Sequence, residues 1–416
     1  MADRVIFHAD CNNFFASCEC LERPELRDVP MAVAGDPENR VGVVVAKNEL
    51  AKRFGVKTTD TVYQAKQKCP QIVFVPPRHR YYSEVSKRVN AIYRDYTDYV
   101  EPASIDESYL DMTEASAYLG LSPRALADQL RARVRDEIGI TISVGVSFCK
   151  VFAKMGSDYR KPDATTVITR ENYRELLWPL PVSDLLFAGR SAVGSMKRKG
   201  IETIGDLARQ PAGAMRDLLG RHGEALWRYA NGIDPEPVRL YGDVPEIKSV
   251  SRGRTFRRDL VTEAEVRTGL GVLSDEVARS LRRHGMKGEV VSVQVRRPDM
   301  TEISRQTTLG RYTYLEHEIR ETALQLLREN WHIGESQPIR ALTVGVSHLR
   351  PEAEVAEQLS LFDLGLDDGG QSEKRARRER LEAAVEAVRK KHGDGSITLG
   401  YQENEEIGVR RGDERR

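Results

Sequence analysis

Three carboxylates carry the first chemical suggestion in this sequence. Asp10 closes the run RVIFHAD, and Asp106 and Glu107 stand side by side in SIDESYLD. A hard divalent cation such as magnesium takes oxygen ligands, commonly one or two carboxylates together with phosphate oxygens. Two such ions close together clamp the attacking and leaving oxygens of an in-line phosphoryl displacement. Adjacent Asp–Glu pairs are mostly solvated, so spacing alone does not separate a metal site from a polar turn. Two other patterns fail on their own terms. GRSAVGSM (189–196) has phosphate-loop spacing but carries Ser195 and Met196 where Lys and Ser or Thr belong. His8, Cys11, Cys18 and Cys20 match no zinc-ligand spacing.

For acids so far apart in sequence to share ions, strand ends must bring them together. Residues 4–10 predict a short buried strand ending at Asp10, and GVVVA (42–46) predicts a second. Residues 104–112 read as two short extended pieces around a turn, and TISVGVSF (141–148) as a strand. Residues 81–96 read as helix. A further helix starts at Ser122 as N-cap with Pro123 in the first turn. It repeats Leu126, Leu130, Val134 and Ile138, and stops at Gly139. Residues 1–165 thus predict an α+β sheet with helices on one face. Residues 166–240 predict helices only, and 241–249 has the Pro, Gly and charge of a linker. Strand-like 288–297 and 341–349 then surround helical 314–330.

The chain has 416 residues, which at roughly 100–200 residues per domain allows two to four domains. Its formal net charge of +1 hides a division: residues 351–370 hold six acids and no Lys or Arg, while 243–350 carry 18 basic against 15 acidic residues. A basic face for nucleic acid is compatible with that balance but not required by it. The five cysteines predict no disulfide framework. With no signal pattern at the N-terminus and no apolar run near ~20 residues, a cytoplasmic protein without a membrane partner is expected.

DCNNFFASCE (10–19), SIDESYLD (104–111) and SVGVSFCKVFAKMGSDYRKP (143–162) resemble three motifs of the Y-family DNA polymerases. FGVK (54–57), KSVSRGRTF (248–256) and the C-terminal domain continue the resemblance in order over residues 4–350. It implies an α+β multidomain chain in the form of a right hand. The palm would be 1–20 and 76–165, the fingers 21–75, and the helical thumb with a helix-hairpin-helix 166–240. After the 241–249 linker would come an α/β little finger at 250–350 and a tail at 351–416. The implied reaction is low-fidelity, template-directed DNA synthesis across lesions. The alternative is a non-catalytic DNA- and clamp-binding protein that keeps the fold.

The same resemblance assigns residues. Asp10 and Asp106 would bind two Mg²⁺ with the Cys11 carbonyl, and Glu107 would complete the metal and catalytic site beside the primer 3′-hydroxyl. Phe15 falls at the steric-gate position, where a ring under the sugar excludes a 2′-hydroxyl by overlap. Phe14 stands as a core aromatic or as backbone near the triphosphate. Lys52 and Lys161 would meet the triphosphate, although Glu49 and Lys52 replace the family's Tyr and Arg, and a lysine cannot form arginine's planar fork. Gly189, Gly200 and Gly205 mark the helix-hairpin-helix expected to grip DNA phosphates. Arg252, Arg254, Arg257, Arg258, Arg296 and Arg297 would lie against the DNA backbones. QLSLF (358–362) resembles the peptide that binds the bacterial sliding clamp, through Gln358, Leu359, Leu361 and Phe362. A basic helix near 373–391 follows, with Leu381, Val385 and Val388 on one face. Primer–template DNA, dNTPs and the clamp are the implied partners of a monomer.

Overall fold

The computed structural model describes residues 3–36, 40, 42–332, 337–355, 369–393, 396–397 and 404–409. The clamp-like peptide at 358–362 lies outside them. No described helix is long and apolar enough to cross a membrane. The chain divides into two compact units, residues 1–35 with 43–244 and residues 36–42 with 245–415.

The first unit begins with β1 (Ile6–Cys11) and α1 (Phe14–Glu22). A small three-stranded sheet follows, from β2 (Met31–Ala34), β3 (Val44–Lys47) and, after α2 (Glu49–Arg53) and α3 (Val62–Lys68), β4 (Val73–Val75). Then come α4 (His79–Arg94), β5 (Val100–Pro102), β6 (Glu107–Asp111), α5 (Thr113–Leu119), α6 (Pro123–Ile138), β7 (Ile142–Ser147), α7 (Lys150–Tyr159) and β8 (Thr165–Val167). The main sheet has the order β5-β6-β1-β7-β8.

Side chains on a strand alternate between the two faces of its sheet. On β1, Phe7, Ala9 and Cys11 join the core built with Tyr82, Val85 and Val89 of α4 and Leu126, Leu130 and Val134 of α6. Ile6 packs on the opposite face against Ala153 of α7, so His8 and Asp10 follow it there. The sheet is therefore covered on both faces, not on one. α6 forms as its sequence predicts: Ser122 Oγ accepts the Ala125 N–H, Pro123 sits in the first turn, and Gly139 closes the end at φ 89°. Each fully buried leucine of its apolar stripe stabilises the unit by about 1.5–3 kcal/mol.

Between α7 and β7 the contact is backbone against backbone. A Cβ placed on Gly145 would lie 1.9 Å from the Ala153 carbonyl oxygen and 2.4 Å from the Ser157 nitrogen. Only glycine lets the helix settle this low on the sheet.

Past β8, a strand where the sequence reading expected helix only, the chain is helical: α8 (Tyr173–Leu177), α9 (Arg190–Lys197), α10 (Ile204–Arg209), α11 (Ala212–Leu219) and α12 (Arg221–Ala230). Met196, Ile204, Leu207, Met215 and Leu226 form its core. The phosphate-loop-like GRSAVGSM is simply α9 with Gly189 as N-cap.

The second unit is β9 (Ser249–Leu260), α13 (Glu263–Arg283), β10 (Met286–Arg296), β11 (Glu302–Thr313), α14 (Glu316–Asn330), β12 (Ile339–Pro351) and α15 (Gly369–His392). Its antiparallel sheet has the order β11-β10-β12-β9, with α13 and α14 on one face. The basic helix expected near 373–391 is α15. Leu381 and Val388 of α15 are exposed. The docked side is ionic: Arg389 Nη1 meets both oxygens of Asp275 at 3.0 Å, Arg375 bonds Glu318, and Glu382 pairs with Arg282. Complementary charges on α13 and α14 select that face over the apolar one. Ile407 and Val409, further along, are buried in the unit's core.

Because the α7–β7 contact has no room for a methyl group, Gly145→Ala is expected to destabilise the first unit by about 3 kcal/mol. Calorimetry would show a clearly lowered Tm for that unit's transition, with the second unit's transition unmoved.

Candidate active site

β1 and β6 pair so that Asp10 lies directly opposite Glu107. The Cys11 N–H donates to the Asp106 carbonyl at 3.0 Å, which carries the pairing into the turn. Asp10, Asp106 and Glu107, separated by about a hundred positions in sequence, thus meet at one end of the main sheet. The Ser104 hydroxyl shapes the turn: it donates to Asp106 Oδ1 at 2.6 Å and accepts the Glu107 N–H at 3.1 Å.

Cations gather on these acids from α7 and just beyond it. Lys154 Nζ lies 3.2 Å from Asp10 Oδ2, 3.0 Å from Glu107 Oε1 and 3.0 Å from Asp158 Oδ2. Lys161 Nζ lies 2.5 Å from Asp10 Oδ2 and 2.7 Å from Asp158 Oδ1. Burial pushes the Asp10 carboxyl up to about 6 even against the pull of both lysines. Glu107 goes the other way: the His8 ring and Lys154 hold it well below the usual carboxylate range. Burial opposes charge on both lysines, but the facing carboxylates outweigh it and raise their pKa values. His8, wholly buried one strand position before Ala9, is pushed down by desolvation. Lys150 is drawn elsewhere, to Glu101 at 2.7 Å.

Among the described residues, no three His, Cys, Asp or Glu side chains stand as a ready ligand set. Asp106 is turned to Ser104, and ammonium groups cover the oxygens of Asp10 and Glu107. The donor chemistry still fits a hard divalent cation. The nearest donors are carboxylate oxygens, and two positive charges already stand where a 2+ ion would balance them. The Cys11 thiol is buried in the core on the far face, so that residue offers only its backbone carbonyl.

Beside the acids, α1 begins at Phe14 with Asn13 as its left-handed N-cap, φ 51°. The first N–H groups of a helix have no partner within it and favour anions. The Phe14 side chain is core, leaving only its backbone for a ligand. The half-buried Phe15 stacks on Tyr82, centroids 4.3 Å apart at 17°, with the edge of His79 at 5.6 Å. Tyr82 is itself fixed by its hydroxyl, which donates to buried Glu19 at 2.6 Å. Glu49 accepts the Asn13 side-chain amide at 3.1 Å and holds Lys52 at 3.4 Å. Lys52 therefore reaches towards the α1 N-terminus, whereas Lys161 rests on Asp10.

The remaining candidates separate. Gly189 caps α9 at an exposed N-terminus, and Gly200 turns the chain at φ 73° with open space around it. Gly205 is buried within α10 against Trp178, its Cβ position 3.0 Å from the Trp178 Cβ, and is closed to a phosphate. Of the arginines, Arg252 bonds Ser280 of α13, Arg254 is buried and bonds Glu276, and Arg258 pairs with Glu265. These three share the helix-covered face with Val250 and Phe256, because positions two apart point the same way. Their guanidinium groups are engaged within the unit. Arg257 alternates to that open face. Arg296 pairs with Glu302 there, and Arg297 lies over the Trp331 ring at 5.5 Å. The open face holds a shallow depression of about 210 Å³ bordered by polar and charged residues, among them Arg254, Thr255, Gln294, Arg296, Glu302 and Thr343.

Sequence reasoning missed Lys154, Asp158, Ser104 and His8. Lys154 and Asp158 lay inside the third motif, one helical turn apart. Gly145, which lets the helix carrying them settle low on the sheet, was the remaining signal.

Comparison with known proteins gives one consistent answer. Residues 9–158 match the impB/mucB/samB family, and residues 247–361 match the impB/mucB/samB family C-terminal domain. DNA polymerase IV of Acetivibrio thermocellus is 42% identical over 397 residues, covering 95% of this chain and 97% of that protein. DNA polymerase IV 1 of Bacillus subtilis is 35% identical over 402 residues, covering 95% and 92%. The solved structure titled "Y-family DNA polymerase chimera Dbh-Dpo4(243-245)-Dbh" superposes with a TM-score of 0.72 at 22% identity, covering 83% of this chain and 98% of that one. At that identity the likeness establishes the fold.

A divalent cation must displace the proton that Asp10 carries below about pH 6. Above that pH the carboxylate is already ionised, so affinity should be flat. Below it, affinity should fall about tenfold per pH unit. Titration calorimetry with Mn²⁺ on the chain alone checks this, and Asp10→Asn should remove the pH step along with most of the binding.

Proposed function

This chain belongs to the impB/mucB/samB family of Y-family DNA polymerases, and from that premise we propose how its residues divide the work. It is a DNA-directed DNA polymerase of the translesion kind, a nucleotidyltransferase with palm, fingers, thumb and little finger. The observation that carries the residue assignment is the convergence of Asp10, Asp106 and Glu107 at the end of β1 and β6. The non-catalytic alternative has no support from a chain that keeps all three.

In the reaction the primer 3′-hydroxyl attacks the α-phosphate of a dNTP. The O3′–Pα bond forms, the bond from Pα to the bridging oxygen breaks, and pyrophosphate leaves. Divalent cations serve this family, and two Mg²⁺ held by Asp10, Asp106 and the Cys11 carbonyl would supply Lewis-acid activation of both oxygens. Glu107 faces the primer end. Lys161, released from Asp10, moves its charge to the triphosphate together with Lys52 and the α1 N–H groups, where negative charge develops on the leaving group. Phe15, braced by Tyr82, lies under the sugar and excludes a 2′-hydroxyl. Catalysis is positioning and electrostatics, with no covalent intermediate.

DNA is held without reading sequence. The exposed α9 N-terminus with Gly189 and Gly200 takes a phosphate of the duplex, and the polar open face of the β9–β12 sheet, with Arg257 and Arg296, lies along the backbones, while Arg297, just past β10 beside Trp331, reaches a further phosphate. Contacts to phosphates rather than bases tolerate distorted templates. The QLSLF peptide, between β12 and α15 in sequence, tethers the polymerase to the sliding clamp. The chain works as a monomer in the cytoplasm.

Two variants test this reading in Mg²⁺-dependent primer extension. Asp106→Ala should lower single-turnover incorporation by about a thousandfold with DNA affinity unchanged; near-normal turnover would remove Asp106 from the metal site. Phe15→Ala should raise the ratio of ribonucleotide to deoxyribonucleotide kcat/KM by about a hundredfold, and an unchanged ratio would place the gate elsewhere.

A further inference from the structure

His8 is wholly buried, and the mechanism above does not use it. It lies on β1 two residues before Asp10, on the same face, opposite Gly145 of β7. The edge of its ring meets Tyr109, centroids 4.7 Å apart at 67°. Nδ1 is 2.8 Å from Ser157 Oγ on α7. Nε2 has no hydrogen-bond partner and points at Glu107 Oε2, 3.6 Å away. That gap is slightly longer than a hydrogen bond, and a small rotation of the carboxylate closes it.

The Ser157 hydroxyl decides which ring nitrogen carries the proton. It has one hydrogen and two neighbours at 2.8 Å, the His8 Nδ1 and the Lys154 carbonyl. If the hydrogen goes to the carbonyl, Nδ1–H must donate to Ser157, and a bare Nε2 lone pair faces a carboxylate. If it goes to Nδ1, the ring proton sits on Nε2 and is aimed at Glu107. The first arrangement opposes two acceptors in a water-poor site; the second satisfies both. A partner on one ring nitrogen commonly fixes the tautomer and orientation of a functional histidine.

We propose that Ser157 and His8 form a relay that orients Glu107, making His8 a positioning residue for nucleotidyl transfer. The proposal rests on Glu107 belonging to the catalytic site. It also gives the Gly145 contact a purpose: by letting α7 sit low on β7, it brings Ser157 within reach of a histidine in the interior.

Two measurements on the full chain test it. The first is ¹⁵N NMR of histidine-labelled protein, with the His8 signal identified by its loss in His8→Leu. The Nε2–H tautomer is expected, and an Nδ1–H tautomer in the unaltered chain overturns the relay. The second is steady-state primer extension. His8→Leu should lower kcat about tenfold or more with the KM for dNTP little changed. His8→Gln, whose amide N–H can replace Nε2–H, should recover most of that loss. In a Glu107→Gln background, His8→Leu should cost nothing further, since the group it acts through is already altered. An equal loss in both backgrounds would mark a structural role and overturn the proposal. If the unaltered chain extends no primer, the polymerase reading itself fails, and the tautomer still decides the relay.

Discussion

Three carboxylates at one end of one sheet repel each other, and the surrounding structure has to hold that charge. At the short distances between facing strand positions, like charges inside a protein cost several kcal/mol unless cations answer them. Here the answer comes from α7 and the residues after it. Lys154 bridges Asp10 and Glu107, while Lys161 and Asp158 extend the alternation of sign outward. The network keeps the acids together with charges that can yield. A lysine on a flexible stem can leave Asp10 for a phosphate without rearrangement of the backbone.

The raised Asp10 and the depressed Glu107 show how burial and partners separate two acids in register. Asp10 is the more enclosed, and desolvation dominates it; Glu107 has the histidine ring and an ammonium group beside it. The difference follows from the two-residue period of β1 and β6, which puts His8, Asp10 and Glu107 on the α7 face and leaves Cys11 and Ser108 facing away. Gly145 completes the arrangement, since any larger residue would lift the helix that carries Lys154 and Ser157.

In the second unit, charge also overrides apolar pattern. The α15 stripe of Leu381 and Val388 remains in solvent, and the helix docks through Arg375, Glu382 and Arg389. Arg389 and Asp275 are both buried, so their pair fixes the docking register: losing either partner would leave an uncompensated charge inside. On β9 the same unit sends Arg252, Arg254 and Arg258 towards α13 and keeps Arg257 for the open face. A run of arginines is thus divided by strand alternation between the two sides of β9.

Much of this could be read from the chain itself. Two motifs placed Asp10, Asp106 and Glu107, and local rules placed the helices: Ser122, Pro123 and Gly139 bound α6 where caps and breakers say they should. Strand alternation on β9 was present in the sequence too, although adjacent arginines concealed it. What the sequence could not supply was contact between segments. That Lys154 rather than Lys150 reaches the acids depends on how α7 rotates over β7 and on Glu101 drawing Lys150 away. That Gly205 is closed off depends on Trp178. Local propensity and motif spacing act within a few residues, so they determine elements and candidate groups. Which groups meet is set by packing between elements distant in sequence, and here a missing methyl group at one glycine helps to decide it.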